Sequence, residues 1–235
     1  MANWSATEIS TVGSGRTYTT LAAWWAAKGG SGTTAPHAEC YTGADLGTVT
    51  ISGAVGTPTS DYYVRIYTAT GERHDGTRSG TTGTYLNTGN QHGIDVQENY
   101  TRIEGLRLYR SNGQQKGAIA LTNSVTNILV DGCVVVGIGN QATTYQWAYS
   151  IANNVTATVQ NCLAYGTTGA KTGINSSAFR CWYCGAVSIL NCAVTGWTDA
   201  SGVYDAGFFA ANTTTPVVWT NCVSIGNSTG NDFER

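Results

Sequence analysis

The sequence predicts an all-β protein, a single-stranded right-handed parallel β-helix closed at its N-terminal end by one short helix. Three observations predict it. Four segments repeat at steps of 30 residues, each is rich in β-branched and aromatic residues bounded by Asn and Gly, and a helical stretch precedes them. Composition agrees: of 235 residues 30 are Gly and 36 are Thr, and only 11% are charged, less than half the usual share of about 25%.

The elements follow in order. Val12–Gly30 reads as strand, glycine turn and helix, with Thr19 or Thr20 as N-cap and Lys28-Gly29 as C-terminal signals. Leu21, Trp24 and Trp25 share the helical spacing and suit a lid over the first strand edges. The chain is read as one domain, 1–235, with the cap over about 1–35 and coils over about 45–235. The repeat is clearest in 117–226. Its copies run Asn127–Gly137, Ala157–Gly166, Val187–Gly196 and Val217–Gly226, with Asp131, Asn161, Asn191 and Asn221 in register and an extra Gly132 in the first.

A repeat of 30 residues is too short for a four-stranded propeller blade, and its alternation is not that of paired helices. It fits one β-helix coil, with a further strand in each at Gly93–Val96, Gly117–Leu121, Ala148–Ile151, Phe179–Cys181 and Phe208–Ala210. Coils stack about 4.8 Å apart, so like meets like. Positions 129, 159, 189 and 219 are expected to face inward before an Asn/Asp row at the bend. After it, Leu106, Cys133, Cys162, Cys192 and Cys222 form a buried row, and glycines at 137, 166, 196 and 226 permit the next corner.

The glycine turn, Tyr18-Thr-Thr-Leu21 and the lid helix resemble the start of pectate-lyase-like β-helix proteins. Gly43–Gly53, Tyr62–Tyr67 and Gly71–Gly76 resemble uncharacterised bacterial and phage members. The resemblance implies the architecture; that fold hosts lyases, hydrolases, adhesins and virion proteins alike.

Enzymes of this fold group carboxylates on one sheet, with Ca²⁺ and a basic residue or as acid and base. Here the aligned row holds a single Asp. Asp95, Glu98, Glu104 and Arg107 form the only tight charged group, and Asp199 and Asp205 lie in a later loop. Solvated surface charge is the simpler reading of the four, catalysis the alternative. Glu72-Arg73-His74-Asp75 reads as a structured turn rather than a catalytic pair, because neighbours in a strand point apart. The lone Cys181-Trp-Tyr-Cys184 lacks the second pair of a zinc site and reads as packing, its sulfurs on opposite faces. No cofactor or metal is expected.

A net charge of −2 without basic clusters argues against nucleic acid, and the apolar runs are too short for a membrane helix. Met1-Ala-Asn-Trp-Ser shows no leader pattern, so the chain is expected to work where it is made, with its seven cysteines as thiols. If the cysteine row faces in, Val134, Val136, Leu163, Tyr165, Val223 and Ile225 face out as an apolar strip. That strip reads as an interface with a second copy, a trimer being favoured, or with a capsid shell. The expected function is therefore a non-enzymatic phage virion protein (capsid decoration or tail/head fibre) assembled in the host cytoplasm. The alternatives are a polysaccharide lyase or hydrolase, and a secreted or cell-surface adhesin that binds a glycan.

Overall fold

The computed structural model describes residues 3–30, 33–77, 83–89, 91–110, 116–137, 146–166, 177–196, 206–213, 215–225 and 233–234. Among them the chain forms one helix and 21 strands. The strands sort into three sheets whose spatial order is also their chain order. The eight-stranded sheet runs β1 (Ala6–Val12), β2 (Thr34–Cys40), β4 (Val64–Thr68), β7 (Thr101–Glu104), β10 (Ile128–Asp131), β13 (Ala157–Gln160), β16 (Val187–Leu190) and β19 (Val218–Thr220). The six-stranded sheet holds β5 (Tyr85–Asn87), β8 (Arg107–Arg110), β11 (Val134–Gly137), β14 (Leu163–Tyr165), β17 (Ala193–Thr195) and β20 (Val223–Ile225). The seven-stranded sheet holds β3 (Val49–Ile51), β6 (Ile94–Val96), β9 (Lys116–Leu121), β12 (Gln146–Ala152), β15 (Ser177–Trp182), β18 (Ala206–Ala211) and β21 (Phe233–Glu234). From β4 to β21 each turn visits the three sheets once, and the chain is a parallel β-helix of about six turns.

Register places like residues in columns. Ile66, Ile103, Val130, Val159, Ile189 and Trp219 form the inner column of the eight-stranded sheet. On the seven-stranded sheet Ile94 and Ile119 lead into Tyr149, Phe179, Phe208 and Phe233. These four rings stack at 4.5, 4.8 and 4.9 Å, within 10° of parallel.

One alignment needs correction. Val130, not Leu129, pairs with Val159; Leu129 points outward and is half-exposed. The cause is Gly132, which is the bend residue itself rather than an insertion. Its φ of +59° matches Asn161 (+54°), Asn191 (+51°), Asn221 (+53°) and, one turn earlier, Gly105 (+72°). The first two copies are therefore 29 residues apart, and Asp131 stands one place before the bend. Among the corner glycines Gly196 is left-handed (φ +61°), while Gly226 lies outside the described residues.

The helix α1 (Leu21–Lys28) starts at Thr20, whose hydroxyl accepts from the Ala23 amide at 3.2 Å. Leu21, Trp24 and Trp25 are buried against β1, β2 and β3, the first strands of two sheets. The Trp25 indole donates to the Ser52 carbonyl at 3.1 Å, and Lys28 pairs with Glu8. The N-terminal end of the solenoid is thus covered by apolar side chains from its own chain.

Candidate functional site

The four charged residues close in sequence are not close on the solenoid. Asp95 lies on β6, Glu104 on β7 and Arg107 on β8, one on each sheet, with Glu98 in the turn between β6 and β7. A single coil wraps all three sides, so a short stretch of sequence is dealt out around the circumference. Each group is also engaged within the chain. Asp95 accepts from Gln97 (2.8 Å) and Thr122 (3.1 Å), and Glu98 from the Ala54 amide (2.8 Å). Glu104 is held by Arg65 through two bonds of 3.0 and 2.5 Å, which raise Arg65 above its ordinary range. Arg107, 1% exposed, donates to Asp75 and to the Thr77 carbonyl, both at 2.9 Å. The Thr77 amide and hydroxyl, and then Arg107, hold Asp75 down to about 2.

Asp75 belongs to a loop, residues 69–77, laid over the outer face of the six-stranded sheet. His74 fixes it: Nδ1 accepts from the Gly76 amide at 3.2 Å, and Nε2–H donates to the Gly132 carbonyl at 2.8 Å. Burial pushes this imidazole below its ordinary range, which suits that neutral tautomer. The Tyr165 hydroxyl donates to the Gly76 carbonyl at 2.7 Å. Arg73 crosses the bends at Gly105 and Gly132, where an added Cβ would come within 2.6 and 2.5 Å of its guanidinium.

This loop corrects the apolar strip. Val134 (1% exposed) and Val136 (4%) are buried, and Leu163 and Tyr165 are half-buried. Only Val223 (45%) and Ile225 (61%) are open. A loop from an earlier coil that lies across three later ones leaves no mark in the repeat. Its one signal in the sequence is glycine at both covered bends, 105 and 132.

Beyond the loop the bend is open and carries an amide ladder. Asn161 donates to Asp131 at 2.8 Å, Asn191 to Asn161 at 3.4 Å and Asn221 to Asn191 at 3.2 Å. Inside the same corner Cys133, Cys162 and Cys192 are buried and Cys222 is half-buried. Each thiol lies within 3.3–3.8 Å of a carbonyl one coil earlier. Burial, then hydrogen bonding with Cys133 and Cys192, pushes the Cys162 thiol up.

Cys181 and Cys184 need a second correction: both are buried rather than on opposite faces. The strand ends at Trp182, and Tyr183 (φ +49°) turns the chain so that both sulfurs point into the core. His37 is buried under Tyr63, and desolvation lowers it to about 4. His92 bonds to Gly117. Among the described residues no three His, Cys, Asp or Glu side chains gather as a metal site. Asp199 and Asp205 lie outside the described residues.

Two further surfaces remain. A groove of about 420 Å³ on the outer face of the eight-stranded sheet is lined by Tyr63, Tyr100, Arg102, Asn127 and Gln160, with Arg102 3.8 Å over the Tyr63 ring. At the C-terminal end, β19, β20 and β21 are the last strands of their sheets. Val218, Val223, Ile225 and Phe233 are exposed there, beside a half-buried Trp219. Comparison with family models, with curated proteins and with solved structures finds no match, so the reading of function rests on this geometry.

Proposed function

We propose that the chain is a non-enzymatic structural protein of a phage particle, a rigid β-helix serving as a capsid decoration protein or a component of a tail or head fibre. One observation carries the reading. The charged side chains that could do chemistry are spent in intrachain contacts on three separate sheets, while ladders of like residues stack along all three sheets. That is what an assembly part needs: rigidity from stacked ladders rather than a reactive cluster. The partners on this reading are further copies of the chain or a capsid shell, and the place of assembly is the host cytoplasm. Mass spectrometry of purified particles from a phage encoding this chain tests it. Recovery in a fixed copy number supports the reading, and absence from intact particles overturns it.

A second reading, a glycan-binding module, is favoured by the groove beside Arg102. A tyrosine face, a guanidinium and carboxamides are the groups that stack on and hydrogen-bond a sugar. Calorimetry with neutral and acidic oligosaccharides, repeated on Tyr63→Ala and Arg102→Ala, separates the two. Binding lost in both variants favours the glycan reading.

A further inference from the structure

We propose that residues 69–77 form an acid-released strap: when His74 takes up a proton, the strap lifts from the outer face of the six-stranded sheet and uncovers Val134, Val136 and Leu163. The inference goes beyond the assembly reading and does not depend on it. It begins with the imidazole, whose two nitrogens have opposite duties. Nδ1 accepts from the Gly76 amide at 3.2 Å and so carries no hydrogen, while Nε2–H donates to the Gly132 carbonyl at 2.8 Å. The first bond shapes the strap, and the second ties it to the bend before β11. An imidazolium has a hydrogen on both nitrogens, so a second proton sets Nδ1–H against the Gly76 N–H. The closed strap fits the neutral ring only.

The surroundings offer the cation little. The charged and titratable groups around the ring are Glu72, Arg73 and Asp75 on the strap, Arg107 of β8 with Tyr109 beside it, Tyr165 of β14, and Asp131 next to the bend. Arg73 and Arg107 repel a charged ring. Asp75 attracts it, but that carboxylate is engaged by Arg107 and by the Thr77 amide and hydroxyl, and Glu72 is engaged by Thr42. Burial first, and then the two arginines, hold His74 below its ordinary value. A ring depressed in the closed strap and ordinary in the open one binds its proton better when open. The closed form is therefore favoured in full above about pH 6.5 and loses ground as pH falls below it.

What lies beneath gives the release a consequence. Val134 and Val136 stand in two outward columns that continue through Ala193 and Thr195 to Val223 and Ile225. In those last two coils Ala193 is half-buried and the other three are exposed, whereas Val134 and Val136 are buried under the strap. A Cβ added at Gly76 would lie 3.9 Å from Leu163, so the strap reaches that side chain as well. Lifting it presents an apolar face that is covered in neutral solution.

The test is amide hydrogen exchange by NMR over a series from pH 7 to pH 4, read as protection factors so that the intrinsic pH dependence of exchange cancels. The Gly76 and Thr77 amides report the strap, and the β13 amides report the core. In the wild-type chain strap protection should fall about tenfold between pH 7 and pH 5, with β13 unchanged. Glu72 and Asp75 are held below the ordinary carboxylate range and keep their charge across that interval. His74→Gln supplies a carboxamide that can donate to Gly132 and takes up no proton, so its strap protection should not change with pH. Should that variant lose strap protection altogether, the wild-type ring decides: the loss of protection must level off where the His74 ring titrates, and not where His37 or His92 does. Strap protection indifferent to pH in the wild-type chain overturns the inference. So does a loss that persists in His74→Gln or levels off elsewhere.

Discussion

The two halves of the solenoid solve the same bend differently. In the coils at 105 and 132 the left-handed position is glycine, and Arg73 and His74 from an earlier loop lie across it. In the coils at 161, 191 and 221 it is asparagine, and the side chains bond to one another along the axis. Both residue types tolerate positive φ. Glycine leaves room for a covering loop, whereas asparagine supplies its own ladder where no described loop arrives. The N-terminal end is capped by a helix, and among the described residues the strands of the last coil carry Val218, Val223, Ile225 and Phe233 exposed.

The largest effect should come from breaking the core column that both halves share. Phe179 is fully buried, with rings at 4.5 and 4.8 Å on either side. Phe179→Ala should cost about 3–5 kcal/mol by guanidinium unfolding. Phe233 has one stacked neighbour and a tilted Trp219 ring at 5.5 Å, and is 42% exposed, so Phe233→Ala should cost less, about 1 kcal/mol. Equal losses would mean that the C-terminal coil is as enclosed as the middle ones.

The bend itself can be tested by exchanging its two residue types. Gly132→Asn keeps a residue that accepts φ +59° but drives a side chain into Arg73. It should cost about 1–2 kcal/mol, and much of that should return when Arg73→Ala is added. Asn191→Gly keeps the conformation and gives up two exposed amide bonds, so it should cost less. A larger loss at 191 than at 132 would refute the division between covered and laddered bends.

Much of this architecture is legible in the sequence because stacking turns chemistry into period. The cysteine row, the asparagine row and the lid helix can all be read from spacing alone, since each is a local pattern repeated in identical surroundings. What escaped is what breaks the period. Gly132 looks like an insertion in the sequence, yet its φ puts it at the asparagine position, so Val130 and not Leu129 faces inward. The loop over Val134 and Val136 is a contact between non-neighbouring coils, which no repeat encodes. The candidate cluster failed for a related reason: residues 95–107 are adjacent in sequence yet go round the whole circumference.

Acid should release the covered half first. Asp75 is held near 2 in the folded chain by Thr77 and Arg107, below its ordinary value. A depressed carboxylate stabilises above its unfolded pKa, and that contribution is lost as pH falls through the folded value. The loss therefore runs from about pH 4 to about pH 2. Asp75→Asn should lower the melting temperature at pH 6, and the difference should shrink through pH 4 to a small residue near pH 2. A gap between the two proteins that persists at pH 2 would detach Asp75 from this role.

The smallest effect is a difference in thiol reactivity, which compares the inner coils with the last described one without perturbing either. Cys133, Cys162 and Cys192 are enclosed, whereas Cys222 is half-buried in the last coil. An aromatic disulfide reagent should modify Cys222 well before the other three, since attack needs access as well as thiolate. Cys222 is held above its ordinary range by its hydrogen bond to Cys192 and then by burial, so even this reaction should quicken as pH rises. Labelling of Cys222 no faster than that of Cys192 would show the last described coil to be as enclosed as the inner ones, and the contrast between them would fall.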